Sequence, residues 1–157
     1  MCLRFIILLF VVFTTDGLSQ GLLEDKLLPT RQDSLRGSIT PEREWWDLTY
    51  YHLDIKVEPD KKYISGSNTV GYKVLKSNKT MQIDLQEPMK ITSVIANGKP
   101  LKFNREGNAY FIELKSKQRK NDVNYLEIFY EGYPKEAIRA PWDGGLSWTK
   151  DDNGNHF

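Results

Sequence analysis

From Trp45 onward, apolar and polar residues in this chain alternate with a period of two. Tyr51, Leu53, Ile55 and Val57 alternate with His52, Asp54, Lys56 and Glu58. Successive side chains of an extended backbone point to opposite faces, so this run predicts a half-buried strand. Pro59-Asp60-Lys61-Lys62 predicts a turn. Across residues 63–75, Ile64, Val70, Tyr72 and Val74 share one parity and give a long second strand. Gly66 and Gly71 inside it point to a bulge or a bend. Met81, Ile83 and Leu85 mark a short strand ended by Glu87-Pro88, and residues 89–96 form another. Asn97-Gly98 is the preferred pair for a type I′ hairpin turn, leading into residues 99–103. After a polar turn at 104–108 come a strand at 109–114, a basic connection at 115–122 and a last strand at 125–131. Seven strands with turn signals between them, and no convincing long helix, predict an all-β fold. The expected architecture is an antiparallel β-sandwich or a curved, saddle-like sheet.

The two ends of the chain break this rhythm. Met1 to Arg4 is short and basic, and residues 5–13 are nine consecutive apolar residues. As a helix they span roughly 14 Å, against about 30 Å of hydrocarbon, so they are too short to cross a bilayer. Gly17 and Ser19 supply small residues before Gln20. Together these features predict a secretory signal peptide over residues 1–19, hence an exported protein, periplasmic or extracellular, with no membrane span after cleavage. The only cysteine, Cys2, falls in the removed part, so the mature chain is expected to fold without disulfides. Residues 20–44 are charged and broken by Pro29, Gly37 and Pro41. Leu22, Leu23, Leu27 and Leu28 suit one helical turn, but the segment reads mainly as a leader or linker. That leaves residues 45–157 as the β-domain. Beyond Gly132 the alternation stops, and residues 133–157 carry Trp142 and Trp148 in a Pro- and Gly-rich stretch that needs something to pack on.

Composition narrows the chemistry. Of 157 residues, 39% are hydrophobic and 27% charged, too apolar and too balanced for a disordered chain. Lys plus Arg total 22 against 21 Asp plus Glu, which gives no electrostatic case for nucleic acid or an acidic membrane. Two histidines far apart in sequence, outside any His-Glu-x-x-His spacing, make no zinc site. No Gly-x-Ser-x-Gly elbow, Walker loop or Cys-His pairing occurs. Asp151-Asp152 lies in a run that lacks the ligand spacing of a calcium loop and reads as a solvated turn. Lys115, Lys117, Arg119 and Lys120 read as a solvated connection. Asn78-Lys79-Thr80 matches an N-glycosylation acceptor. Aromatic residues make up 12% of the chain. They suit sheet packing, with a stacking platform for sugars or peptides as the alternative. The residues therefore offer no catalytic, cofactor-binding or metal-ligating candidate.

Several stretches nevertheless occur in a familiar order. They are Trp45-Trp46-Asp47-Leu48-Thr49-Tyr50-Tyr51-His52-Leu53-Asp54-Ile55, Ile64-Ser65-Gly66-Ser67, Met81-Gln82-Ile83-Asp84-Leu85, Glu106-Gly107-Asn108-Ala109-Tyr110-Phe111 and Ala140-Pro141-Trp142-Asp143-Gly144-Gly145-Leu146-Ser147-Trp148. In this order, residues 43–157 resemble the opening of the N-terminal β-domain in exported bacterial members of the aminopeptidase N family. The family are gluzincin zinc metallopeptidases. The resemblance implies a non-catalytic N-terminal structural domain whose partner is the catalytic domain of a full-length relative. It would help to form the pocket for the peptide amino terminus and meet peptide substrates only through that domain. The family's His-Glu-x-x-His helix, its downstream Glu and its Gly-x-Met-Glu-Asn stretch do not occur here. Zinc is thus expected only in a full-length relative, and this chain is expected to be inactive alone, as a fragment that stops before the chemistry. The substrate-contacting Gln or Glu of that domain would follow Phe157, and the loop at Asp143-Gly144-Gly145 would lie near the mouth of the cleft as architecture. The residues alone leave a second reading open: a free-standing secreted β-sandwich that binds a glycan or peptide through exposed aromatic residues, with Trp142 and Trp148 as a flat surface.

Overall fold

A computed structural model describes residues 28–156. The signal peptide expected at 1–19, with Cys2, and the leucines at 22, 23 and 27 lie outside the described residues. Eight strands and one short helix follow in the order α1 (Arg31–Gly37), β1 (Trp46–Glu58), β2 (Tyr63–Val74), β3 (Thr80–Asp84), β4 (Lys90–Ala96), β5 (Lys99–Pro100), β6 (Lys102–Glu106), β7 (Ala109–Glu113) and β8 (Val123–Gly132). They form two antiparallel sheets, one of five strands in the order β1-β2-β8-β4-β5 and one of three in the order β3-β7-β6. The all-β, sandwich-like fold expected from the alternation is what the chain adopts.

Eight strands replace the expected seven because the run at 99–103 divides between the sheets. Lys99 and Pro100 pair with β4, and residues from Lys102 onward pair with β7. Leu101 stands at the crossing, buried, with its N–H donated to the Val94 carbonyl. Asn97 and Gly98 have φ of 51° and 70°, as a type I′ turn requires. The bulge expected near Gly71 lies on the facing strand: Leu48 pairs with Tyr72 and Tyr50 with Gly71, so Thr49 is the extra residue. Gly71 is small because a Cβ there would come within 3 Å of both Tyr50 and Tyr125.

The core lies between the sheets. Val70, Tyr72, Val74, Ile91, Val94, Leu126 and Ile128 from the large sheet meet Met81, Tyr110 and Ile112 from the small one. Trp45 closes one end, almost fully buried, edge-on to Tyr72 with ring centroids 5.8 Å apart. Its indole N–H donates to the Thr80 carbonyl at 2.7 Å, which removes the cost of burying that donor.

The segment read as leader or linker is ordered from Thr30 onward. Thr30 and Asp33 form a capping box at the start of α1, each side chain taking the other's backbone N–H. Leu35 is buried beneath the helix. Gln82, the one buried polar residue of the core, donates to the Leu35 carbonyl at 3.1 Å and accepts the Thr40 hydroxyl at 2.8 Å. Arg43 pairs with Asp84, and the Gln82 N–H donates to the Glu42 carbonyl. These contacts bind residues 30–44 to the edge of β3. Charge and Pro breaks in the sequence conceal this, because the anchors are single residues without a period.

Candidate functional site

The small sheet is too short to cover the large one. By cross-strand register, Tyr51, Leu53, Ile55 and Val57 of β1 share a face with Val70, Asn68, Gly66 and Ile64 of β2. That row continues through Leu126, Ile128 and Tyr130 of β8 to Val94 and Ile91 of β4. It is the core face. Yet Leu53 and Ile55 are 55% and 50% exposed, and Tyr51 and Val57 are similar. The strand expected to be half-buried thus has its apolar row on the correct face with no second layer of the described residues over it.

A groove of about 180 Å³ opens there, between β1 and the edge of β3. It is lined by Tyr51, Leu53, Asn68, Ile83, Leu85, Ile91 and Tyr130 among others. A wider depression beside it shares Tyr51, Ile83 and Asp84 and adds Trp46 and Leu48. Inside the first groove, the Asn68 side-chain oxygen is buried without a hydrogen-bond partner. Such an acceptor costs stability unless a donor reaches it. Burial holds the Tyr51 and Tyr130 phenols above their ordinary values. The groove is therefore a place for packing, with one acceptor to satisfy. No nucleophile paired with a base lines it.

The residues weighed in the sequence for chemistry are scattered. His52 stands on the outer, solvent-facing row of β1. His156 lies in the tail, its Nε2 2.9 Å from Asp60 Oδ1. That contact and Lys150 hold the Asp60 carboxyl below its usual value. Asp151 accepts backbone N–H groups of Asn153 and Asn155 at 3.0 and 2.7 Å, closing the solvated turn on itself. Asn78 uses its side-chain oxygen on the N–H groups of Lys79 and Thr80 and its amide on the Pro41 carbonyl. Catalytic zinc needs three converging protein ligands. No group of three or more His, Cys, Asp or Glu side chains that could hold a metal ion occurs among the described residues. The donor set among the described residues does not fit a catalytic zinc ion. No helix among the described residues is long and apolar enough to cross a membrane.

In the tail, Trp142 is 85% exposed, whereas Trp148 is partly buried with its indole nitrogen enclosed and unpaired. Of the two, Trp142 alone is well exposed. The Asp143-Gly144-Gly145 loop is braced by its own carboxylate, which accepts the N–H groups of Ile138 and Arg139 at 2.7 and 3.0 Å. Those bonds hold Asp143 below the ordinary carboxylate range. Sequence reading missed the groove and Asn68, since neither has a motif. A Thr30-x-x-Asp33 spacing marks the start of α1 in the sequence, but nothing local marks the contacts that hold residues 30–44 to β3.

No family model matches the sequence, and no match is found among curated proteins. Solved structures do match. An M1 zinc metallopeptidase from Deinococcus radiodurans aligns with a TM-score of 0.54 at 18% identity, over 60% of this chain and 22% of that one. A substrate-bound mutant from the same organism gives 0.56 at 17%, over 68% and 24%. A mutant two-domain M1 zinc metallopeptidase bound to L-tryptophan gives 0.57 at 16%, over 70% and 26%. The chain spans about a quarter of the length of the structures it matches. At such identities the likeness is one of fold: this chain has a fold shared with part of M1 zinc metallopeptidases.

Proposed function

We propose that this protein is a non-catalytic, exported N-terminal structural domain of a zinc-dependent metallo-aminopeptidase. It packs on a catalytic domain and helps to form the pocket for the peptide amino terminus. One observation carries this reading: the fold recurs as about a quarter of larger proteins described as M1 zinc metallopeptidases, one of them as two-domain. The open apolar half of the large sheet supports it, because a face of that kind calls for a second layer. The role is one of positioning. A rigid sheet carries the Asp143 loop, and displacing a substrate-positioning loop by about 1 Å costs on the order of 100-fold in rate. Zinc and the attacking water belong to the catalytic domain.

The test is enzymatic and analytical. The purified full chain is expected to hold no stoichiometric zinc and to release no amino acid from aminoacyl amides. Robust, chelator-sensitive aminopeptidase activity from this chain alone sinks the reading. A frame after the last codon that encodes His-Glu-x-x-His supports it directly.

A further inference from the structure

Among the described residues the large sheet ends on β1, which pairs on one side only, with β2. The free side of this thirteen-residue strand is a row of backbone donors and acceptors, a template for another strand. Proteins that keep such an edge single break it with Pro, edge charges or a bulge, or turn a charge inward. β1 has its bulge at Thr49 and Lys56 on its outer row, but from Tyr51 to Val57 it runs without a bulge. β1 contains no Pro, and its inward row is Tyr51, Leu53, Ile55 and Val57. At about half exposure each, these four leave on the order of 400 Å² of apolar surface, as much as the largest patch on a typical monomer.

The outward row names an occupant. Asp54, Lys56 and Glu58 alternate in sign, and within one copy Lys56 Nζ lies 3.0 Å from Glu58, which also pairs with Lys61. Laid antiparallel on a second copy with Ile55 on the two-fold axis, Asp54 meets Lys56 and His52 meets Glu58. On the inner face Leu53 meets Val57, and Ile55 meets itself. Moving the axis to Asp54 or to Lys56 sets like charges against each other, so the charge pattern selects the register about Ile55.

We propose that β1 is a self-association edge: two copies join β1 to β1, antiparallel about Ile55, into one continuous sheet of ten strands. One strand edge buries an area at the low end of specific interfaces, so the affinity expected is on the order of micromolar. Each charged pair occurs twice in the dimer, and salt weakens it because the pairs lie at the surface.

Sedimentation equilibrium of the full chain across the micromolar range, at low and high salt, tests this. A reversible monomer–dimer equilibrium that weakens with salt is expected. D54K alone, or K56D alone, sets like charges opposite each other twice and is expected to weaken the dimer about tenfold. The double variant D54K/K56D exchanges the charges, keeps them complementary, and is expected to recover wild-type affinity within about threefold. Both positions are exposed, so all four proteins should share one far-ultraviolet circular dichroism spectrum. A wild type that stays monomeric throughout overturns the proposal and leaves the edge to a strand of another polypeptide. So does a dimer that neither single variant weakens, or a double variant that fails to recover. The readout is mass rather than peptidase activity, so it stands or falls apart from the function proposed above.

Discussion

The five-stranded sheet has two halves that are alike in sequence and opposite in environment. Around Val70, Tyr72 and Val74 its inner face is sealed by the three-stranded sheet. Along Leu53, Ile55 and Val57 the same face of the same sheet is open. The difference is one of length. Five-residue strands such as β3 and β7 reach roughly 17 Å, whereas the thirteen residues of β1 reach roughly 43 Å. The small sheet runs out before the large one does. Alternation therefore settles which way a side chain points, and the reach of the opposing layer settles whether it is buried.

The most forceful way to break that comparison is to delete the same side chain on each side of it. Ile112→Ala removes a side chain with no exposed surface from the small sheet, where it seals the covered half, and is expected to destabilise by about 3–4 kcal/mol in urea unfolding. Ile55→Ala, in the open half, is expected to change monomer stability by less than about 1 kcal/mol. Equal losses at the two positions would mean that the open half is covered after all.

Next comes the seat of the open half. A Cβ on Gly66 would lie 2.0 Å from the Asp54 carbonyl oxygen, a backbone atom that cannot swing aside. Gly66→Ala is expected to cost about 3 kcal/mol and to loosen the far end of β1, seen as faster hydrogen exchange there than in β7.

Alkaline titration separates the halves more gently. Burial pushes the Tyr72 phenol up to about 12, so the folded state holds that proton more tightly than the unfolded chain does near 10. The associated stability is intact below about pH 10 and is lost as pH rises towards 12, on the order of 2 kcal/mol. Tyr72→Phe is expected to flatten that window, whereas Tyr51→Phe on the open half should leave most of it in place. A small effect is expected at the leader. Thr30→Ala breaks the capping box of α1 and should cost about 1 kcal/mol, read by thermal unfolding. No change there would mean that the leader adds nothing to the sealed half.

Legibility followed the range of the interactions. Period two exposed β1, β2, β4 and β8, and Asn97-Gly98 marked its turn, because these are properties of neighbours in sequence. The division of 99–103 between two sheets was hidden, since it depends on Leu101 finding the core. The order of residues 30–44 was hidden for the same reason. It rests on Leu35, Thr40 and Arg43 meeting β3, some forty residues away in the chain. Of the candidate site, the apolar residues were readable but their openness was not, and the unpaired oxygen of Asn68 is a purely spatial fact.

By itself, then, the sequence determined the strand rhythm, the all-β class, the lack of a catalytic motif and the resemblance that the fold bears out. Backbone pleat, turn chemistry and residue type are local, and they survive any tertiary arrangement. Only the tertiary structure decided which half of the long sheet is sealed, that residues before Trp45 join the fold, and that β1 is left as an edge. Those outcomes depend on how far one layer extends over another, which no stretch of residues encodes alone.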